Sequence, residues 1–284
     1  MDIALPLASP HHLLISGRTR SGKSVLLYSV LAQLAARDEV LVGGVDPSGI
    51  VFNALGSFPG EEFRALTLRD PHRCLAVLAG LVEVMDQRIQ ALLRDKLDKF
   101  TTFSREFPLL LVVLEEYPGL LAALEGIDRA SGVKPAERIE PQVRALVQRL
   151  ALEGAKVGVR LVVVTQRADA TILTGVLRSQ LSVKFAFAQD ADGFRMLFPE
   201  LPEDLKARSV RLCPGEALVE LPGAPVGLFK ADFIDYPGLV DRFAAAGWGE
   251  GVRSDDRESS TIITRERGCS VTGGCAMHAG ASSP

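Results

Sequence analysis

Residues 17–24 read Gly17-Arg18-Thr19-Arg20-Ser21-Gly22-Lys23-Ser24, a G-x-x-x-x-G-K-S pattern whose flanking segments decide the fold class. Residues 12–16 (HLLIS) are typical of a short buried strand, and residues 25–36, rich in Leu, Val and Ala, are typical of a helix. The pattern binds phosphate when it joins a strand to a helix, whereas in other contexts it is an ordinary glycine-rich turn. The sequence therefore predicts an α/β P-loop NTPase.

The residue types of this loop match the chemistry of a nucleoside triphosphate. Gly17 and Gly22 let the backbone bend so that successive N–H groups converge on phosphate oxygens. Lys23 carries a positive charge for the β- and γ-phosphates, and the Ser24 hydroxyl is a ligand for Mg²⁺. We therefore expect all eight residues to contact the nucleotide, with Lys23 acting in catalysis and Ser24 holding the metal.

Composition limits the class of protein. The chain has 284 residues, of which 47% are hydrophobic and 24% charged, enough for one large α/β core or two small ones. The net charge of −3 and the pI near 5.9 give no overall signature of nucleic-acid binding. DNA held by a few loops inside a ring remains compatible with these values.

The sequence also bears on location. Residues 1–6 lack the basic and long apolar segments of a signal peptide. A bilayer span needs about 18 to 20 apolar residues, and Glu115 and Glu116 interrupt the apolar run from Pro108 to Leu124. The four scattered cysteines fit reduced thiols better than a disulfide framework. We expect a cytoplasmic protein that does not itself insert into a membrane.

Strand-like and helix-like segments alternate along the chain, which predicts a mostly parallel sheet with helices on both faces. Further strands are expected at residues 39–47, 108–114, 159–166 and 181–188. Helices are expected at 72–99 and 142–154, with an exposed loop at 132–141. Residues 216–221 and 225–231 flank Pro222-Gly223-Ala224 and predict a small C-terminal β-hairpin.

The composition changes near residue 249. Residues 249–284 contain few large apolar side chains, so we expect a disordered tail after an ATPase domain at 1–248. Cys269, Cys275 and His278 form a C-x₅-C-x₂-H pattern. A structural zinc site usually needs four ligands at tighter spacing, and no fourth ligand stands out, so zinc is not predicted.

An acidic pair, Glu115-Glu116, follows the buried strand at 108–114. A nucleotide hydrolase needs one carboxylate near Mg²⁺ and one that orients or deprotonates the attacking water, both at the carboxyl end of a strand beside the phosphate loop. We assign Glu115 to the metal and Glu116 to the water. The alternative is two solvated acids at a strand end.

A third polar segment, Thr165-Gln166-Arg167, ends the apolar strand at 159–166. The Gln166 amide can hydrogen-bond the γ-phosphate or the attacking water and so respond to the bound nucleotide. The alternative is an ordinary polar strand end.

Taken in order, these motifs resemble the motor domain of the FtsK/SpoIIIE family of DNA translocases. The resemblance spans residues 11–235 and rests on five features: the G-x-x-x-x-G-K-S loop, Asp46-Pro47, Met85-x-x-Arg88, the strand ending in Glu115-Glu116, and residues 154–167. The ending Gln166 to Ala170 is similar to the plasmid- and actinobacterium-type branch.

The resemblance implies a RecA-like ATPase domain that binds ATP and Mg²⁺, forms a homo-hexameric ring and moves double-stranded DNA through its channel. We expect service in plasmid or integrative-element transfer or in phage DNA handling, and leave open a membrane-bound or transfer protein as partner. Two alternatives remain. One is a protein-secretion ATPase of the type VII kind, and the other is a nucleotide-binding regulatory protein with weak hydrolysis.

The chain departs from the family pattern at three places. Glu115 stands where Asp is usual, Ser48 follows Asp46-Pro47 where Lys is usual, and Gly154-Ala155-Lys156 lacks an expected arginine. Ring ATPases usually complete each site with an arginine from the next subunit. The nearby substitutes are Lys156, Arg149 and Arg160, and the residues nominated for DNA contact by charge alone are Arg178, Lys184 and Arg195. For all six, a solvated surface charge is the favoured interpretation.

Overall fold

A computed structural model of the protein describes residues 9–166 and 173–249. The strands lie within these ranges. Their bounds are β1 Leu13–Ser16, β2 Val40–Asp46, β3 Arg64–Leu66, β4 Leu109–Leu114, β5 Val159–Thr165, β6 Val183–Phe187, β7 Glu216–Glu220 and β8 Gly227–Lys230. Within the described ranges they form one eight-stranded sheet in the order β3-β2-β4-β5-β1-β6-β7-β8.

The sheet is parallel from β3 to β6 and antiparallel at its β7–β8 end. This arrangement confirms the predicted mostly parallel sheet. It also confirms the β-hairpin, which pairs with β6 and therefore extends the same sheet. Because β5 lies between β1 and β4, the phosphate-loop strand and the acidic-pair strand are separated by the strand that ends next to Gln166.

The helices lie at α1 Lys23–Ala32, α2 Ile50–Asn53, α3 Pro71–Asp95, α4 Tyr117–Ser131, α5 Ile139–Glu153, α6 Gly175–Gln180, α7 Ala191–Leu197, α8 Glu203–Ser209 and α9 Tyr236–Ala245. Apolar residues of α1, α2 and α9 share one hydrophobic cluster with one face of the sheet. Residues of α3, α4, α5, α6 and α7 share a second cluster with the other face. Helices on both faces are thus confirmed.

Burial on both faces explains the continuous apolar runs of the central strands. All six residues of β4 are buried. Val112 joins the cluster with α3 to α7, while its neighbour Val113 joins the cluster with α1, α2 and α9. Successive strand residues point to opposite faces, so a central parallel strand must be apolar throughout.

The predicted loop at 132–141 is wrong at its end, because α5 begins at Ile139. The buried Asp128 carboxylate accepts hydrogen bonds from the Ile139 and Glu140 backbone N–H groups, each at 2.9 Å. These bonds satisfy two of the N–H groups that a helix start leaves without partners. The helix therefore begins earlier than its apolar periodicity indicated.

The helix α4 directly follows the acidic pair and is absent from the expectations above. The predicted tail beyond Gly249, with Cys269, Cys275 and His278, lies outside the described residues. Over the described ranges, no helix is long and apolar enough to cross a membrane.

Candidate nucleotide-binding site

The carboxyl ends of the parallel strands bring the predicted site residues to one edge of the sheet. Gly17 follows β1, the acidic pair follows β4, and Gln166 follows β5. In open α/β sheets ligands bind outside this edge, next to the point where the strand order changes direction. We call it the carboxyl edge.

The phosphate loop is held to this edge by its own backbone. The Gly17 N–H donates to the Thr165 carbonyl at 3.2 Å, and the Arg18 N–H donates to the Ala188 carbonyl at 2.9 Å. The loop is therefore attached to the ends of the two strands that flank β1. The Lys23 ammonium closes it from within, donating to the Gly17 carbonyl at 2.6 Å and to the Arg18 carbonyl at 3.2 Å.

Two glycines make this loop shape available. Gly17 has φ 149° and Gly22 has φ 117°, values that other residues rarely adopt. A Cβ on Gly17 would lie 2.7 Å from Phe187 Cβ, and one on Gly22 would lie 2.7 Å from the Gly215 nitrogen. A side chain at either position would clash with these neighbours, so glycine is needed for the bent loop backbone that phosphate-binding loops use.

Lys23 is only 9% exposed, although it carries a charge. Burial lowers its pKa, and the Glu116 and Glu115 carboxylates oppose that shift. The ammonium therefore lies between the phosphate loop and the acidic pair. Ser24, the next residue of α1, is exposed at the same edge.

Ser21 supplies a further polar atom inside the loop. Its side chain is 3% exposed, and its Oγ finds no hydrogen-bond partner among the described residues. Buried hydroxyls are rarely left in this condition. Together with the glycine cradle and Lys23, it fits a phosphate-bearing ligand, and the oxygen atoms of Ser24 and Glu115 are of the kind that Mg²⁺ prefers.

Glu115 is half-buried directly after β4. Its pKa is raised to about 7, mainly by burial and also by the Asp46 and Glu116 carboxylates, while Lys23 opposes the shift. The carboxyl therefore exchanges its proton near neutral pH. A nearby cation would favour its charged form.

Glu116 adopts a left-handed backbone conformation, with φ 45° and ψ 52°, at the cap position of α4. Its side chain makes no capping hydrogen bond to the helix. A residue other than glycine pays on the order of 1–3 kcal/mol for such a conformation, and strained residues cluster at functional sites. The turn separates the two carboxylates, one at the strand end and the other at the helix start.

Gln166 is exposed next to the phosphate loop. The Thr19 hydroxyl donates to its Oε1 at 3.2 Å, so this amide lies against the loop. Arg167 and residues 168–170 lie outside the described residues.

Asp46 has a structural place that the sequence pattern did not specify. It is fully buried at the end of β2, where its Oδ1 accepts from Ser48 N–H and Oγ, and its Oδ2 accepts from Val51 and Phe52 N–H groups. Asp46 thus organises the turn into α2. An Asp followed by Pro and Ser is a turn signal that could have identified it.

Arg88 of the Met85-x-x-Arg88 motif lies far from the loop, at the amino ends of the strands, which we call the amino edge. Its guanidinium donates to the Val157 carbonyl at 3.0 Å and the Pro108 carbonyl at 2.6 Å, and it lies 4.3 Å from the centre of the Phe107 ring. Burial lowers its pKa to about 10. It joins the segments that lead into β4 and β5.

The substitutes for the missing arginine differ from one another. For Arg160 the expectation of a solvated surface charge is wrong: it is 4% exposed and donates to the Ser9 and Ala155 carbonyls, each at 2.7 Å, at the amino edge. Arg149 pairs with Asp86 at 2.7 Å and Glu153 at 2.9 Å. Lys156 is exposed, in the turn before β5.

The residues nominated for DNA contact also differ in exposure. Lys184 pairs with Glu220 across β6 and β7 at 2.6 Å, and its side chain is only 19% exposed. Arg195 is 74% exposed and pairs with Asp192 at 3.4 Å. Arg178 is half-buried at the end of α6.

Two cavities occupy opposite edges of the sheet. The first, of about 930 Å³, includes the first residues of β1, β2 and β4 and none of the predicted site residues. The second, of about 410 Å³, lies at the carboxyl edge and is lined by Arg18, Thr19, Gln166, Gln189 and Asp190. In the described part of the chain, no three His, Cys, Asp or Glu side chains form a ready cluster for a metal.

The fold and the loop geometry define the class: this is a P-loop ATPase fold, with a strand between the phosphate-loop strand and the acidic strand. A model of the FtsK/SpoIIIE family matches residues 4–170, more than half of the chain. The chain therefore belongs to the FtsK/SpoIIIE family, as the order of its motifs predicted.

Curated relatives agree with this assignment. The chain is 24% identical over 203 residues to the DNA translocase FtsK of Staphylococcus aureus, covering 66% of this chain and 24% of that protein. It is 27% identical over 197 residues to the DNA translocase FtsK of Mycobacterium leprae, covering 66% and 23%. The chain thus spans about a quarter of the length of these relatives.

Solved structures share the fold. The conjugation coupling protein TcpA of pCW3, in its monomer form with ATPγS, aligns with a TM-score of 0.61 and 22% identity, covering 82% of this chain and 63% of TcpA. The cytoplasmic domain of the type VII secretion ATPase EccC of Thermomonospora curvata aligns with a TM-score of 0.62 and 21% identity, covering 86% and 28%.

Proposed function

We propose that this chain is the ATP-hydrolysing motor of a double-stranded DNA translocase that acts as a cytoplasmic homo-hexamer. The observation that carries the proposal is the convergence of Lys23, the acidic pair and Gln166 on one edge of the sheet around the phosphate loop. Membership of the FtsK/SpoIIIE family and relatives named DNA translocase FtsK support DNA as the substrate.

The proposed roles follow from the position of each group. The loop Gly17–Ser24 holds the phosphates of ATP, with Lys23 exchanging its bonds to loop carbonyls for bonds to phosphate oxygens. Ser24 and Glu115 hold Mg²⁺, which supplies positive charge for the phosphate oxygens. Glu115, whose pKa is raised to about 7 here, would be ionised more readily beside a bound cation.

Glu116 and Gln166 act on the attacking water. A carboxylate of Glu116 orients the water and takes its proton, and the Gln166 amide donates to the γ-phosphate or the water. The strained backbone of Glu116 supports this role, because strained residues cluster at functional sites and the carboxylate is not used to cap α4.

We further propose service in plasmid or integrative-element transfer or in phage DNA handling, with a membrane-bound or transfer protein as partner. The structural likeness to a protein named as a conjugation coupling protein supports the first of these settings.

Steady-state ATP hydrolysis with and without linear duplex DNA, at low and moderate salt, tests the proposal. We expect DNA to stimulate hydrolysis and the stimulation to fall as salt rises, because phosphate contacts release counterions. The Lys23→Ala variant is the control and should hydrolyse no ATP under either condition. Hydrolysis that ignores DNA would contradict the translocase.

A protein-secretion ATPase is the second candidate function. The fold likeness to EccC favours it, and so does the likeness to EssC of Geobacillus thermodenitrificans, with a TM-score of 0.63 and 15% identity. DNA-independent hydrolysis would favour this candidate. No hydrolysis in any condition, despite ATP binding, would favour a nucleotide-binding regulatory protein.

A further inference from the structure

Gln189 follows β6 and reaches the base of the phosphate loop, although no sequence motif pointed to it. Its Oε1 accepts a hydrogen bond from Ser16 Oγ at 2.8 Å. Ser16 is fully buried, ends β1 and immediately precedes Gly17. The amide oxygen of Gln189 is thus engaged behind the loop, which leaves the two N–H bonds of the same amide for another acceptor.

The described residues supply no such acceptor. The Gln189 Nε2 is buried and has no hydrogen-bond partner among the described residues. An unpaired buried donor destabilises the folded state, and native proteins leave few of them. Such a group is explained when a ligand supplies the partner.

The side chain has little freedom to turn elsewhere. A Cβ on Gly193 would lie 2.9 Å from Gln189 Cδ and Oε1, so the amide packs closely against the first turn of α7. The Ser16 hydroxyl donates to the same Oε1 and so holds the amide in this position. The donor is therefore held in place before any ligand binds, which lowers the entropy cost of using it.

Gln189 lines the 410 Å³ cavity at the carboxyl edge together with Arg18 and Thr19 of the phosphate loop. Gln166, the proposed contact of the γ-phosphate, lines the same cavity. The Asp190 carboxylate is also part of the lining, and its Oδ1 accepts from the Gly193 N–H at 2.8 Å, toward α7. A cation, two amides and a hydroxyl beside a phosphate loop fit an acceptor-rich anionic group.

We propose that Gln189 is a specificity-determining residue whose side-chain N–H donates to the terminal phosphate of a bound nucleoside triphosphate. The proposal rests on the proposed function, since it assumes that the loop binds ATP. Gln189 would then distinguish ATP from ADP, because ADP lacks the acceptor. Because Gln189 lies between β6 and α7 and is bonded to Ser16 of β1, this contact would also link the nucleotide state to the segment between β6 and α7.

The test compares two substitutions by calorimetric binding of ATPγS and of ADP. Gln189→Glu keeps an oxygen for Ser16 but replaces the donor with a carboxylate oxygen, so ATPγS affinity should fall at least about tenfold and ADP affinity much less. Gln189→Met has similar volume without either polar group, and its ATPγS affinity should fall by about three- to tenfold.

Ser16→Ala removes the hydrogen bond that positions the Gln189 amide but keeps the donor itself. Its ratio of ATPγS to ADP affinity should therefore fall by less than in either Gln189 variant. Thermal unfolding without nucleotide, measured for all variants, reports any loss of folding separately from ligand discrimination.

An unchanged affinity ratio in both Gln189 variants, while the wild type binds ATPγS, would overturn the proposal, even if their unfolding temperatures fall, since only a structural role would remain. Failure of the wild type to bind either nucleotide would overturn the proposed function along with it. A lowered ratio in both Gln189 variants, with a smaller fall in Ser16→Ala, supports the proposal.

Discussion

The two edges of the sheet treat buried polar groups in opposite ways. At the amino edge, Arg88 and Arg160 are each held by backbone carbonyls of the segments that enter the strands. At the carboxyl edge, Lys23 binds only carbonyls of its own loop, and Ser21 Oγ and Gln189 Nε2 have no partners within the described ranges.

The difference in pairing indicates that the amino edge serves the stability of the fold and the carboxyl edge serves ligand binding. Polar groups paired by the chain contribute to the stability of the folded state, because breaking such a pair leaves a desolvated group behind. Polar groups left unpaired at a phosphate loop cost stability until a ligand supplies their partners. Mutations at the amino edge should therefore lower the free energy of unfolding. Mutations at the carboxyl edge should lower nucleotide affinity or turnover without lowering stability.

The largest effect is expected at Lys23. Lys23→Ala removes the buried charge between the loop and the acidic pair, so ATP affinity and turnover should each fall by about 10³-fold. Arg129→Ala, which removes an exposed charge paired with Glu125, is the control and should change neither. Tight ATP binding by Lys23→Ala, measured by titration calorimetry, would contradict the assignment of the loop.

Glu116→Gln should separate binding from turnover. The amide cannot take a proton from water, so turnover should fall by about 10²- to 10⁴-fold while ATP affinity changes little. Glu125→Gln, on the exposed face of the same helix, is the matched control. Single-turnover kinetics with saturating enzyme measure the effect, and unchanged turnover would remove Glu116 from the site.

At the amino edge, Arg88→Met should reduce stability and spare binding. The Val157 and Pro108 carbonyls lose their donor, and the contact with the Phe107 ring is lost. We expect the free energy of unfolding to fall by about 2–4 kcal/mol, measured by urea titration. A large loss of ATP affinity in the folded variant would mean that the two edges are not independent.

His12 gives the amino edge a pH dependence. It is buried, its Nδ1 accepts from the Leu161 N–H at 2.9 Å, and its Nε2 contacts the Ala151 carbonyl at 3.0 Å, so the ring is neutral. Burial, more than any other cause, lowers its pKa to about 4. Between that value and the ordinary pKa of 6.5, the unfolded state binds more protons than the folded state.

Stability from His12 should therefore be complete above pH ~6.5 and fall by about 2 kcal/mol between pH 6.5 and pH 5. The measurement is the difference in unfolding free energy between the wild type and His12→Gln across this range. A difference that does not depend on pH would show that the imidazole is not held neutral.

The smallest effect is expected at Glu115, where the sign is reversed. Because its pKa is raised from 4.5 to about 7, the folded state binds more protons in that window, and stability falls as pH rises through it. Without nucleotide or metal, Glu115→Gln should gain about 1 kcal/mol over the wild type at pH 8, a value discounted for partial exposure. A difference in unfolding free energy between Glu115→Gln and the wild type that is the same at pH 5 and pH 8 would contradict this prediction.

The parts of the fold that could be predicted are those with local causes. The Gly17–Ser24 pattern and the apolar run of β4 depend on residues adjacent in the chain, so their patterns were sufficient. The start of α4 was not predictable in this way, because its apolar residues continue an apolar run and the break at Glu116 depends on a rare backbone conformation.

The parts that could not be predicted depend on pairing between distant segments. Gln189 meets Ser16 only because β6 lies beside β1, with Val183 opposite Leu13. Arg160 and Arg149 look alike as charges in the sequence, yet one is buried against carbonyls and the other lies in exposed ion pairs. The residue type shows which hydrogen bonds a side chain can form, whereas the topology of the fold determines which partners are within reach.

The left-handed conformation of Glu116 makes position 116 a place where selection for folding and selection for activity diverge. In a library scored only for folded protein, glycine should be enriched there, since it adopts positive φ without the steric cost of a Cβ. In a library scored for ATP turnover, glycine should be depleted. Comparing the enrichment of glycine at position 116 between the two libraries separates the steric cost of a Cβ from the contribution of the carboxylate to turnover.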